Sequence, residues 1–302
     1  MYRVLKHSWV WFGISIGLAV ISIIALFVFG LPIGIDYKGG TVLEFTSGKA
    51  NSLEVAKQVL AEDGFTDIQA KEAGADKIIV RMRTLTNEEH NQISADLSAR
   101  IPNYSETQYD TVGPTIGKDL TKKSILAVII ASLGIIFYVA FAFRKVPKPL
   151  SSWKFGFCAV VALLHDLLIT IGFVSIMGHF FIWMEVDALF VTALLTIMGF
   201  SVHDTIVVYD RLRENLIKNP HKDITQLAEE SINQTIIRSI NTSMTTVIVL
   251  TALLVFGSSS IRHFIITLVF GIVIGTYSSI FNATPLLVLW QRKSLKKSPL
   301  VR

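Results

Sequence analysis

Cysteine is nearly missing from this chain. Cys158 stands alone among 302 residues, so no internal disulfide can form. Charge is scarce as well: charged residues make up 17% against 51% hydrophobic ones, and the mean hydropathy is +0.54. A soluble chain of this length rarely shows that balance. Long linkers and low-complexity segments are lacking too. The shortage of charge is local, because residues from about 36 to 123 carry a dense, ordinary mixture while long stretches elsewhere carry almost none.

Those stretches are the main signal. No charge lies between His7 and Asp36, and 20 uncharged residues separate Lys123 from Arg144. Twenty residues make a helix of roughly 30 Å, the thickness of a bilayer core. Residues 155–184 are apolar apart from His165, Asp166 and His179, and 188–209 apart from His203 and Asp204, while 239–261 and 264–291 carry no charge. The expectation is an α-helical polytopic membrane protein with six transmembrane helices. It divides into 1–35 (N-terminus and first span), 36–122 (an extramembrane block), 123–291 (spans two to six) and a basic tail, 292–302. A cleavable secretory signal is the competing reading of the N-terminus, with Arg3 and Lys6 as its basic region. The uncharged run 8–35 is longer than a signal core and lacks a small-x-small cleavage site.

Lys and Arg in short loops predict orientation. With the N-terminus inside, the cytoplasmic segments collect Arg3 and Lys6, Arg144 to Lys154, Arg211 to Arg238, and the tail from Arg292 onward. The short outer loops near 178–186 and 258–263 hold only Arg262. Both termini are therefore expected in the cytoplasm and the 36–122 block outside it. The net charge of +5 reads as topology signal and attraction to anionic lipid, with no need for nucleic acid. All five tryptophans, Trp9, Trp11, Trp153, Trp183 and Trp290, fall near span ends, as an interfacial belt requires.

The outer block alternates strand and helix patterns. Residues 41–46 suggest a strand, and Ser52 sits at a helix N-cap ahead of Leu53, Ala56 and Leu60. After Gly64, residues 66–72 and 77–84 read as strands joined by a hairpin around Gly74. Thr86 and Glu89 have capping-box spacing, and Ile93, Leu97 and Ile101 continue one helix face to Pro102. A last strand near 104–112 completes a β-α-β-β-α-β order, the small α+β ferredoxin-like arrangement between the first two spans. On the inner side, apolar residues among the charges of 211–237 suggest an amphipathic helix at the cytoplasmic interface.

Ionisable residues inside spans are functional candidates, since a centred carboxylate costs at least ~2.5–3.5 kcal/mol on insertion scales. Asp204 lies six residues before Asp210, ~10 Å inside the boundary of span four at helical rise. It reads equally as a proton carrier or as a fixed hydrogen-bonding group between helices. Arg238, just before span five, is its nearest candidate cation or a snorkelling topology marker. His165 with Asp166, and His203 with Asp204, are adjacent pairs whose side chains point about 100° apart, so neither forms a chelating face and no metal is expected. His203 is placed to tune or hydrate Asp204. His179, Glu185 and Asp187 lie near the outer boundary, where solvation is expected. Asn241, Thr242, Ser243, Thr245 and Thr246 in span five, and Thr276, Ser278, Ser279, Asn282 and Thr284 in span six, either line a hydrated path or pack helices. The glycine pairs 13/17 and 271/275 read as helix packing.

Two enzyme readings fail. Residues 13–17 (GISIG) match a G-x-S-x-G nucleophile elbow but lie in a transmembrane helix, without its strand-turn-helix setting. Tyr209-Asp210 resembles half of an intramembrane aspartyl protease site, and no G-x-G-D supplies the other half. No enzymatic activity and no cofactor are expected.

Five motifs then carry a family resemblance. Residues 34–41 (GIDYKGGT) resemble the opening of the outer domain in SecD/SecF proteins, with Gly34, Asp36, Gly39 and Gly40 as its key positions. Residues 112–120 (VGPTIGKDL) resemble the element leading into span two. Residues 200–215 (FSVHDTIVVYDRLREN), 238–246 (RSINTSMTT) and 271–283 (GIVIGTYSSIFNA) are similar to the signatures of spans four, five and six. They follow in order over nearly the whole chain, which is therefore identified as a member of the SecD/SecF family of the resistance-nodulation-division superfamily.

The resemblance implies a subunit of the SecD–SecF accessory complex, which uses the proton-motive force to promote late protein translocation across the cytoplasmic (inner) membrane. The implied partners are SecD, the SecYEG translocon, YajC and YidC, exported polypeptides and membrane lipid. By position Asp204 is the proton-relay aspartate and Arg238 its accompanying arginine, with His203, Asn241, Thr245 and Asn282 as tuning or path residues. His203 stands where the motif more often has Asn, a difference that bears on the pH at which Asp204 would work. A passive scaffold for the translocon, and a small-molecule exporter of the same superfamily, are the alternatives.

Overall fold

The structure, a computed structural model, describes residues 3–48, 52–72, 76–144 and 152–297. The expected hairpin turn at Gly74 and the end of the basic tail lie outside the described residues. In chain order the elements are α1 (Ser8–Phe29), α2 (Ile35–Lys38), β1 (Gly40–Thr46), α3 (Ser52–Glu62), β2 (Gln69–Glu72), β3 (Lys77–Met82), α4 (Asn87–Arg100), β4 (Ser105–Val112), α5 (Pro114–Ala142), α6 (Ser152–Phe180), α7 (Ala188–Lys218), α8 (Ile224–Phe256), α9 (Arg262–Ser278) and α10 (Thr284–Lys297). A π turn, Ser279–Ala283, joins α9 to α10. Among the described residues, six helical segments are long and apolar enough to cross a membrane, the last running from Ser259 to Lys293. The chain forms two compact units, Leu31–Leu126 with Ile176–Ala188, and Met1–Gly30 with Ala127–Ser175 and Leu189–Arg302.

The first unit contains a four-stranded antiparallel sheet of order β2-β3-β1-β4. This is the split β-α-β-β-α-β arrangement expected from the sequence. Leu43 of the central β1 pairs with Val80 of β3 and Tyr109 of β4. Leu43, Phe45, Ile78 and Val80 meet Leu60 of α3 and Ile93 and Leu97 of α4 in one buried cluster. Both halves of the capping box form: Glu89 N–H donates to Thr86 Oγ1 at 3.2 Å, and Thr86 N–H donates to Glu89 Oε2 at 2.8 Å. Arg83 donates to the same carboxylate at 3.1 Å. These donors, Arg83 first, hold the Glu89 carboxyl at about 2, below its ordinary 4.5. β2 starts at Gln69, three residues later than expected.

The second unit buries α6, α7 and α9 most deeply, while α1, α5 and α8 present apolar faces outward. Ile129, Leu133 and Phe137 of α5 and Ile248, Val249 and Val255 of α8 are exposed, as helices bordering lipid would be. Residues 211–237 differ from the expected separate amphipathic helix. α7 continues to Lys218, and α8 starts at Ile224 and runs unbroken to Phe256. The Asp223 side chain caps that start by accepting from Thr225 N–H at 2.9 Å, and no Pro or Gly interrupts the helix before Gly257. Leu216, Ile224, Leu227, Ile232 and Ile236 are buried, so these apolar residues pack within the bundle.

Of the two glycine pairs, one packs. A Cβ on Gly271 would overlap Ile197 of α7, and one on Gly275 would come 3.0 Å from Ser201 Cβ, whereas Gly13 and Gly17 meet nothing. Small residues thus let α9 approach α7 closely. The π turn precedes Pro285, whose ring excludes the carbonyl four residues back and supplies no N–H. Tyr209 O–H donates to the Ala283 carbonyl there at 2.8 Å.

Candidate functional site

Ser201, Asp204, Thr205, Val208 and Leu212 recur at spacings of three and four on α7, and all are buried. On α8 the buried positions include Thr235, Ser239 and Ser243, so Ser243 is carried toward α7. Asp204 Oδ2 accepts from Thr276 Oγ1 at 3.1 Å and from Ser243 Oγ at 3.5 Å. The two hydroxyls lie 2.5 Å apart. His203 Nδ1 is 3.8 Å from Asp204 Oδ1, but its ring is largely exposed. Asp204 therefore sits among hydroxyls from two other helices.

Arg238 does not join this cluster. Residues 238, 241 and 245 lie off the buried stripe of α8 and are exposed, because each residue advances about 100° around the axis. Arg238 lines a surface depression with Asp210, Arg211 and Glu214 on one side and Tyr138, Ala142 and Phe143 on the other. Asn241 and Thr245 likewise face outward, with Thr245 donating to the Thr242 carbonyl at 2.8 Å. Asn282 is buried in the π turn and exchanges hydrogen bonds with Ser15 of α1 at 2.9 and 2.6 Å. It ties α1 to the π turn, whereas Asp204 accepts from Thr276 and Ser243. Among the described residues, no group of three or more His, Cys, Asp or Glu is placed to hold a metal.

A second carboxyl, not singled out by spacing in the sequence, has the tightest environment. Asp166 is fully buried at the midpoint of α6. Its Oδ2 accepts from Ser201 Oγ of α7 and Ser278 Oγ of α9, both at 2.6 Å. Its Oδ1 is 3.0 Å from His165 Nδ1. The two carboxyl clusters share α7 and α9, and α7 is further tied to the π turn after α9 by the Thr205 and Ser279 hydroxyls at 2.8 Å. The signal available in the sequence was an acidic residue inside an apolar span, coupled with serines in two others.

The outer motif residues shape the entry to the sheet. Gly34 N–H donates to the Val186 carbonyl at 2.9 Å, and a Cβ there would lie 2.9 Å from Glu185 Oε2. Asp36 Oδ2 accepts from Ala188 N–H at 3.0 Å. Gly39 and Gly40 have φ of 76° and 133°, values side-chain-bearing residues rarely adopt. Glu185 and Asp187 differ from the expected solvated groups: Arg81 pairs with Glu185 at 2.7 Å, and Asp187 is buried. The cause is the loop 181–187 folding against β3, where Arg81 also donates to the Ile182 carbonyl at 2.8 Å.

Comparison with known proteins agrees with these features. The family described as Protein export membrane protein SecD/SecF, C-terminal, matches residues 92–293. Protein translocase subunit SecF of Thermobaculum terrenum is 40% identical over 305 residues, covering 97% of this chain and 95% of that protein. The subunit of the same name from Anaerolinea thermophila is 40% identical over 296 residues, covering 96% and 94%. The crystal structure of SecDF, a translocon-associated membrane protein from Thermus thermophilus, superposes with a TM-score of 0.84 at 30% identity over 97% of this chain. A structure of SecDF in a super-membrane-facing form gives 0.70 at 30% identity over 98% of this chain. The chain spans 40% and 39% of those two SecDF chains, so it corresponds to one part of them. On its motifs, fold and relatives together, the chain belongs to the SecD/SecF family of protein-export membrane proteins.

Proposed function

We propose that the chain is the SecF-like half of a proton-driven export accessory complex, and that Asp204 loads and releases the proton. The carrying observation is the hydroxyl setting of Asp204. Ser and Thr hydroxyls donate or accept as they rotate, so Thr276 and Ser243 satisfy the carboxyl in both protonation states. Proton transfer at that site then needs no rearrangement of charged partners. The same hydroxyls make a polar step between α7, α8 and α9, inside an otherwise apolar span.

The partners in this reading are SecD, the SecYEG translocon with YajC and YidC, exported chains and lipid. Outward-facing Arg238, Asn241 and Thr245 fit a second half-bundle packed against α8, and the partial coverage of the solved SecDF chains supports that need. Arg238 would then act on Asp204 only in the assembled complex, resetting its proton affinity. Both termini lie in the cytoplasm and the sheet domain outside it, on the loop-charge evidence. Proton loading shifts the helices and moves the outer domain. The test is proton flux in vesicles carrying the complex with SecD: Asp204→Asn should abolish it, and unchanged flux would favour a passive scaffold.

A further inference from the structure

We infer that Asp166 is the positioning residue of this bundle, a hydrogen-bonding tie that fixes α7 against α9 in the register where Thr276 reaches Asp204. The inference deepens the proton-relay reading of Asp204 and rests on it for its functional consequence. Asp166 belongs to a third helix, α6, and lies outside the relay motifs read above. Its single Oδ2 atom receives hydroxyls from both neighbouring helices at 2.6 Å, so one oxygen holds α7 and α9 together. Ser201 precedes Asp204 by three residues, so both lie on one face of α7. Ser278 follows Thr276 by two residues on α9. Any slip between these helices that broke the Asp166 bonds would also move the Thr276 hydroxyl off Asp204.

Acceptor geometry, rather than proton exchange, is what this role requires. An asparagine in its place keeps one carbonyl-type oxygen for Ser201 and Ser278, and its amide can donate to His165 Nδ1 in the other ring tautomer. Leucine, of similar size, keeps neither. The two substitutions therefore separate positioning from proton carriage.

The register is read directly by a disulfide between α7 and α9. In a Cys158→Ser background, Ile197→Cys and Gly271→Cys face each other, since a Cβ at 271 would overlap the Ile197 side chain. In the full complex, oxidative cross-linking should be as fast with Asp166→Asn as without it. It should be slower by about tenfold or more with Asp166→Leu and with Ser201→Ala/Ser278→Ala, the scale set by losing two buried hydrogen bonds. Gradient-stimulated export, measured without the cysteines and at equal membrane levels, should follow the same order, with Asp166→Asn retaining it. The serine pair serves if Asp166→Leu does not assemble. Export lost in Asp166→Asn as fully as in Asp204→Asn, with cross-linking intact, would overturn the inference and make Asp166 a proton carrier. Normal cross-linking in both Asp166→Leu and the serine pair would overturn it as well. If Asp204→Asn leaves export unchanged, the relay reading fails, and the cross-linking arms still decide the register.

Discussion

Thr276 places its hydroxyl 3.1 Å from Asp204 Oδ2 while also standing 2.5 Å from Ser243, so one threonine joins the carboxyl of α7 to both α8 and α9. Thr276→Val keeps the shape and removes that hydroxyl. A hydrogen bond to a charged group contributes about 1.5–3 kcal/mol, so gradient-stimulated export should fall roughly tenfold or more, one decade for each 1.4 kcal/mol. Thr276→Ser should retain most of it. Equal export by the Val and Ser variants would remove Thr276 from the site.

The outer domain should show an acid-sensitive helix start. Glu89 is held at about 2 against an ordinary 4.5 by Arg83 and the capping box. A carboxyl depressed on folding adds stability that is full above its unfolded value and is lost as pH falls toward its folded value. Pepsin cleavage at the start of α4 should therefore rise from about pH 4.5 to 2 in the wild type relative to Glu89→Gln. A constant ratio across that window would contradict the assignment.

Leu97 is fully buried between α4 and the sheet. Leu97→Ala should cost the domain about 2–5 kcal/mol, from lost apolar transfer and the cavity left behind. Denaturant unfolding of the full chain, followed by protease resistance of residues 36–122, measures it. An unchanged midpoint would mean the domain core lies elsewhere.

Gly40 has φ of 133° and would place a Cβ 2.8 Å from the Met82 carbonyl. Gly40→Ala should destabilise the β1–β3 pairing by ~1–3 kcal/mol through backbone strain, with faster amide exchange at residues 41–43 and 80–82. Unaltered exchange there would rule the strain out.

Periodicity made much of this architecture legible. The capping box at Thr86 and Glu89, the alternation of Ile78, Val80 and Met82, and the uncharged runs each depend on local spacing, which a single sequence displays. Asp204 was legible for the same reason, being an acid in an apolar run. Its donors were harder to read, because Ser243 and Thr276 come from helices 39 and 72 residues away. Only the rotational phase of α8 separates inward Ser243 from outward Asn241 and Thr245, and several small polar residues there fit either face. Asp166 was legible as an ionisable residue beside His165, but its serine partners were not, since they lie 35 and 112 residues distant. The amphipathic pattern of 211–237 was real, but its apolar side packs within the bundle, and no helix break sets it apart from span five.

The most direct test of the account is late-stage export of a secretory protein by the assembled complex, with and without a proton gradient, in wild type, Asp204→Asn and Arg238→Met. The account predicts gradient stimulation in the wild type alone, at equal membrane levels of all three. An equal response of all three proteins to the gradient would contradict it and leave the chain a scaffold.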